Sequence, residues 1–409
     1  MVRCSLTALL LLITLSACGR VSEAPAPSAP DAATTKPQPS TSPASAHAAT
    51  ASPRPASGPS SSAAAQAAGV AGTRAAAHFG ARFDALSEPD RYFFSDNYIS
   101  NETSYLQVAQ ALRSKAQRGG AYIGVGPEQN FSYIALTEPK IAYIVDIRRG
   151  NALLHLLYKA IFHSARNRAE FVARLLGHDG DLAEDPAASL EQVLTQADAA
   201  QASAEEFERV HRVLVQYIQG DLGVGLSQED LETLKQTHAA FSKQRLALRF
   251  ELHQKNGRRY PSLRELLLSS VGPDGSFLAT RGSFERLRRM QEEHRIVPVV
   301  GDFAGDAALA KIGKELQREG LAVSVFYTSN VEQYLMKPDI WARWVRNVEA
   351  LPSNESSLFV RAYLDQGRRH PAQQKQHRTA TLTQTFDQFK WRQRKTGYKS
   401  FWQLVNDGQ

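Results

Sequence analysis

The chain has 409 residues, 48 Lys and Arg against 41 Asp and Glu, a formal net charge of +7 and a hydrophobic share of 43%. That length and apolar content allow a large core, which excludes a disulfide-stapled miniature and a wholly disordered chain. The two cysteines are Cys4 and Cys18, so everything after residue 18 lacks a thiol nucleophile, a thiolate metal site and a disulfide.

The chain starts Met1-Val2-Arg3, continues through the apolar run Leu9-Leu10-Leu11-Leu12-Ile13, and reaches Leu15-Ser16-Ala17-Cys18. One basic residue, a short apolar core and small residues before a cysteine make an export signal, too short to persist as a membrane span. This stretch resembles the bacterial lipoprotein signal, with Leu15 to Cys18 as the lipobox. The resemblance implies cleavage after residue 17 and acylation (palmitate-type) of Cys18, which anchors the protein to the lipid bilayer. Gly19 and Arg20 stand where an inner-membrane retention signal carries aspartate. That points to the outer membrane, with the body in the periplasm or at the cell surface. From about Val21 to Thr73 the chain is mostly Ala, Pro, Ser and Thr, too poor in apolar surface to offset its ordering entropy. We expect a disordered tether over 18–78 and a folded part over 79–409.

The segment Ser95-Asp96-Asn97 to Ser100-Asn101-Glu102 mixes amides and acids ahead of an expected helix from Tyr105 to about Gln117. Ser100 or Asn101 is placed to cap that helix. A second reading makes Asp96, Asn97, Asn101 and Glu102 the lip of a pocket. Next, an apolar run from Ala121 ends in Gly124-Val125-Gly126-Pro127-Glu128, and a short amphipathic segment stops at Glu138-Pro139. A second apolar run, Ile141 to Ile147, carries Asp146 near its end. In a parallel sheet such a glycine turn lets a ligand approach backbone N–H groups at a helix start, and the later acid takes a ribose diol. A plain tight turn is the other reading. Asn151 is placed to cap the following helix, Ala152 to Phe162. Arg148 is placed to meet an anion, and His155 reads as a core histidine.

Between about 164 and 290 strand patterns nearly vanish, and apolar residues recur three and four apart in Arg168–Leu176, Ser203–Gln219, Gln228–Leu246 and Leu263–Ser269. This predicts a large helical insertion. Strands return at Arg295–Val300, Leu321–Thr328, Ser357–Leu364 and Thr381–Phe386, with a helix over Ala307–Arg318 and a short closing helix near Tyr398–Leu404. Polar residues recur at strand ends: Gly126 with Glu128, then Asp146, Asp302 and Asn330. In an open α/β sheet those ends share one rim.

The arrangement resembles the class I S-adenosylmethionine-dependent methyltransferase fold, a mostly parallel Rossmann-like α/β sheet whose last two strands form a hairpin. Gly124 and Gly126 match its first two turn glycines, and Asp146 matches its ribose-binding acid. The chain also resembles an uncharacterised bacterial lipoprotein family of that architecture through Ser95-Asp96-Asn97, Ser100-Asn101-Glu102, Gly301-Asp302 and Ser329-Asn330-Val331-Glu332. The resemblance implies S-adenosylmethionine as the cofactor and Gly124, Gly126, Glu128, Asp146, Asp302 and Asn330 as its contacts. Two departures weigh towards binding without methyl transfer: Tyr122 replaces the usual acid of the first strand, and Glu128 replaces the third glycine. Export removes the protein from the cytosolic cofactor supply, which weighs the same way. P-loop, Gly-x-Ser-x-Gly and His-x-x-x-His patterns are missing from the mature sequence, so those enzyme classes are disfavoured. Basic clusters at 286–289, 368–369 and 390–395 suit anionic lipid or lipopolysaccharide better than nucleic acid in an exported protein, and a membrane-associated structural role is the third reading.

Overall fold

The computed structural model describes residues 79–93, 98–251 and 259–407. Cys18, the export signal, the tether, Asp96 and Asn97 lie outside these residues. Residues 79–86 form α1, and a 3-10 turn at Tyr105–Val108 leads into α2 (Ala109–Lys115). Next come β1 (Ala121–Gly124), α3 (Gln129–Thr137), β2 (Ile141–Asp146) and α4 (Arg149–Ser164). The helical stretch contains α5 (Arg168–Leu175), α6 (Leu190–Ala199), α7 (Ala204–Gln216), α8 (Gln228–Gln244) and α9 (Leu263–Leu267). A small hairpin of β3 (Ser270–Val271) and β4 (Asp274–Gly275) and then α10 (Arg281–Glu292) complete it. The sheet resumes with β5 (Ile296–Val300), α11 (Ala308–Arg318), β6 (Val323–Ser329), α12 (Pro338–Ala350), β7 (Leu358–Leu364) and β8 (Thr379–Thr385). The chain closes with α13 (Phe386–Lys395) and α14 (Phe401–Asn406).

The main sheet runs β5-β2-β1-β6-β7-β8, parallel throughout except for β8, which pairs antiparallel to β7. β1, β2 and β5 are buried at every position, as strands covered by helices on both faces must be. The order reverses between β1 and β6. The glycine turn after β1 therefore sits at the topological switch, and β7–β8 is the closing hairpin. The protein has a mostly parallel α/β sheet flanked by helices, carrying a large helical stretch between α4 and β5.

Helix starts follow local sequence. Ser189, Ser227 and Ser262 each make a capping box with the residue three positions on, which fixes the starts of α6, α8 and α9. α3 ends where Glu138 turns left-handed (φ 48°) ahead of Pro139. Two expected caps are used otherwise. Ser100 and Asn101 do not cap the turn at Tyr105, whose N-cap is Ser104; the Ser104 hydroxyl is committed to Thr379 and Thr381 on β8. Asn151 falls inside α4 and donates to Gly126 O at 3.2 Å.

The chain ahead of α2 crosses the carboxyl edge of the sheet. Glu88 N donates to Val300 O at 2.8 Å and Arg91 N to Ile147 O at 3.0 Å, which ties this segment to the ends of β5 and β2. Glu88 Oε1 accepts from Ala307 N and Ala308 N and so caps α11 from over two hundred residues away.

Candidate functional site

At the end of β1 the glycine turn is clamped from within. Asn130 is fully buried and donates from Nδ2 to the carbonyls of Val125, Gly126 and Pro127 at 2.9, 3.0 and 2.8 Å. Its Oδ1 accepts from Tyr122 OH at 2.8 Å. Gly124 is required here, because a Cβ would lie 2.0 Å from Asn130 Oδ1. Gly126 takes φ +79°, a left-handed conformation that favours glycine. Its carbonyl also accepts from His155 Nε2 at 2.8 Å. Burial pushes the His155 imidazole down to about 4. It is therefore neutral and donates from Nε2 to that carbonyl, the core histidine expected from its apolar surroundings.

Asp146 closes β2 and is paired with a neighbour. Arg148 donates to Oδ1 from its backbone N at 3.0 Å and from Nε at 3.2 Å, and to Oδ2 from its second terminal nitrogen at 3.3 Å. The anion that Arg148 meets is thus the acid expected to hold a ribose. Asp302, after β5, accepts from Ala304 N through Oδ1 at 2.8 Å and from Arg91 through Oδ2 at 3.0 Å. Asn330 is half-buried at the tip of β6, beside Ser329, which holds φ +52°. A non-glycine residue at such an angle is strained, and strain of this kind collects at functional sites.

The switch between β1 and β6 holds two acids almost out of water, Glu102 and Glu128, exposed to 2% and 3%. Tyr327 OH donates to Glu102 Oε1 at 2.7 Å and accepts from Gln129 Nε2 at 2.8 Å; Ser329 Oγ also donates to Glu102 Oε1. Ser100 bridges the pair, its N–H donating to Glu128 Oε1 at 3.3 Å while its Oγ accepts from Glu102 N at 3.1 Å. Desolvation dominates both carboxyls and pushes each up to about 7, with the charge of Glu102 raising Glu128 further. Among the described residues, Glu102 Oε2, Glu128 Oε2, Gln129 Oε1 and Asn151 Oδ1 are buried without a hydrogen-bond partner. Natural interiors leave few such atoms, so a group of them calls for a physical account.

The structure thus brings Glu102, Glu128, the glycine turn and the β6 tip together at the switch, while Asp146 and Asp302 are engaged further along the rim. Asn101 is half-buried beside Glu102. Sequence reasoning did not find Gln129 and Tyr327. Gln129 had a signal in its place directly after Glu128, whereas a tyrosine inside an apolar strand looks like core. A groove of about 870 Å³ between α7 and α8 is lined by Glu208, His211 and Lys235 and by none of the rim residues named above. No helix of the described residues is long and apolar enough to cross a membrane. Among the same residues no three His, Cys, Asp or Glu side chains group to hold a metal.

Sheet order, closing hairpin and switch-point turn define a Rossmann-like α/β domain. Residues 98–407 match the model of the domain of unknown function DUF7790, and the chain belongs to that family. No curated protein matches it.

Proposed function

We propose that the protein is an exported, lipid-anchored member of this family whose Rossmann-like domain binds a small polar ligand at the β1–β6 switch and does not transfer methyl groups. One contrast along the rim carries the reading. The acid that would hold a ribose is paired with Arg148, while the side chains at the switch keep buried polar oxygens unpaired. The lipobox at Leu15 to Cys18 supports the anchor.

The test is calorimetry on the full-length protein in detergent, with S-adenosylmethionine, S-adenosylhomocysteine, nucleosides, neutral sugars and simple amines. Binding by a small polar class other than the two sulfur nucleosides is expected. Micromolar binding of S-adenosylmethionine that is lost in Asp146→Ala would establish the methyltransferase-type site instead. If no class binds, the reading is rejected. The anchor is checked separately by mass spectrometry of the membrane fraction. Acylated Cys18 is expected there, and an unacylated mature N-terminus would refute it.

A further inference from the structure

The donor and acceptor inventory at the switch narrows the ligand, given the reading that the rim is a binding site. Three side chains meet there: Glu102 and Gln129 through the shared Tyr327 hydroxyl, and Glu128 through Ser100 and its chain neighbour Gln129. Their partners supply Tyr327 O–H and Ser329 O–H to Glu102 Oε1, and Ser100 N–H to Glu128 Oε1. Three acceptor oxygens then remain, Glu102 Oε2, Glu128 Oε2 and Gln129 Oε1, all on residues at least 95% buried. Flipping the Gln129 amide does not help. With Glu102 ionised, the one proton of the Tyr327 hydroxyl is given to that carboxylate, so it can accept from Gln129 Nε2 but cannot also donate to a flipped Oε1.

We propose that this acceptor set receives the ammonium group of a small primary amine. An ammonium carries three N–H donors and no acceptor, which matches three unpaired oxygens, and its positive charge opposes two carboxylates. Carboxyl protons are the competing occupants. Two carboxyl protons handed along the three oxygens satisfy them only by leaving both acids neutral, whereas an ammonium satisfies them with both acids ionised and supplies the counter-charge. A neutral alcohol brings one donor together with oxygen lone pairs that would face the same oxygens. The proton and the amine therefore compete for one place, so amine binding near neutral pH must expel protons from the pair.

The experiment compares n-butylamine with 1-butanol, and 1,4-diaminobutane with 1,4-butanediol, on the full-length protein by calorimetry at pH 7. Repeating the amine titrations in two buffers of different ionisation enthalpy measures proton release. The amines should bind at least tenfold more tightly than their alcohol counterparts, with net proton release. Glu128→Gln and Glu102→Gln should each weaken amine binding at least tenfold. The wild-type comparison of amine with alcohol stands even if a variant fails to fold. Equal binding of amine and alcohol, no proton release, or unchanged affinity in folded Glu variants overturns the proposal. Binding of a sugar or nucleoside without any amine overturns it too, but leaves the broader reading of a polar-ligand site in place.

Discussion

A methyl group added at Gly124 would sit 2.0 Å from Asn130 Oδ1 and 2.7 Å from the Tyr122 ring. Either the end of β1 or the Asn130 clamp must then move, and overpacking of that order costs about 1–3 kcal/mol. Gly124→Ala should lower the urea midpoint accordingly; an unchanged midpoint would show that the clamp is slack. The buried acids carry a second residue-scale expectation. Their folded values lie above the ordinary carboxylate range, so their contribution to stability is present below about pH 4.5 and is lost as pH rises through about 7. A rise of that size corresponds to on the order of 3 kcal/mol per carboxyl at high pH. His155 and His238 act in the opposite sense. Burial lowers each to about 4, so their contribution is present above about 6.5 and is lost as pH falls through 4. Glu128→Gln should therefore gain stability relative to wild type at pH 8.5 and lose that advantage at pH 4.5, as read from urea unfolding at both values. A stability difference that does not vary with pH would show that Glu128 titrates alike in the folded and unfolded chain.

At the scale of elements, the tetrapeptide Ser329 to Glu332 serves two neighbourhoods. Ser329 donates to Glu102 at the switch, and Glu332 is buried against Arg361 of β7, with Nε to Oε2 at 2.5 Å and the second terminal nitrogen to Oε1 at 3.1 Å. Trp344 Nε1 donates to the same Oε1, and Arg361 continues to Gln384 on β8 at 2.7 Å. The network ties β6, β7, β8 and α12 together. Arg361→Met leaves Glu332 buried without its counter-charge, a change expected to cost about 3–5 kcal/mol, and adding Glu332→Leu should recover part of it. Thermal denaturation of both variants tests this; a milder single than double variant would contradict it. Pairings of this kind explain what the sequence hid. The central strands were legible because both their faces are buried, and the switch followed from where the glycines fall. α10 and α13 were not, because charged residues dominate them: Arg281–Glu292 buries only Phe284, Leu287, Met290 and Gln291. Within the site, the sequence offers Glu128 as a rim residue and Glu102 as part of a pocket lip. Tyr327 and Ser329, the partners that hold Glu102, stand over two hundred positions later, and no local pattern carries that distance.

For the whole molecule, the question is whether the helical stretch folds as a part of the sheet domain or beside it. The packing favours one unit. Phe162 on α4 lies 4.5 Å from Phe171 on α5 and 5.6 Å from Phe284 on α10 between ring centroids. Phe131 on α3, directly after the glycine turn, meets Phe162 at 5.5 Å and Phe277 at 5.3 Å, so one aromatic cluster spans the sheet's own helices and the added ones. Arg149 at the start of α4 adds a paired contact to Asp230 on α8, at 2.6 and 2.8 Å. Removing a phenylalanine from such a core costs about 3–5 kcal/mol. If the cluster joins the two parts, that cost appears in both at once. Phe162→Ala should then shift a single unfolding transition, with far-ultraviolet ellipticity and near-ultraviolet aromatic signals moving together. Two separated transitions, with only the earlier one displaced by Phe162→Ala, would show that the helical stretch unfolds independently and that the rim keeps its geometry without it.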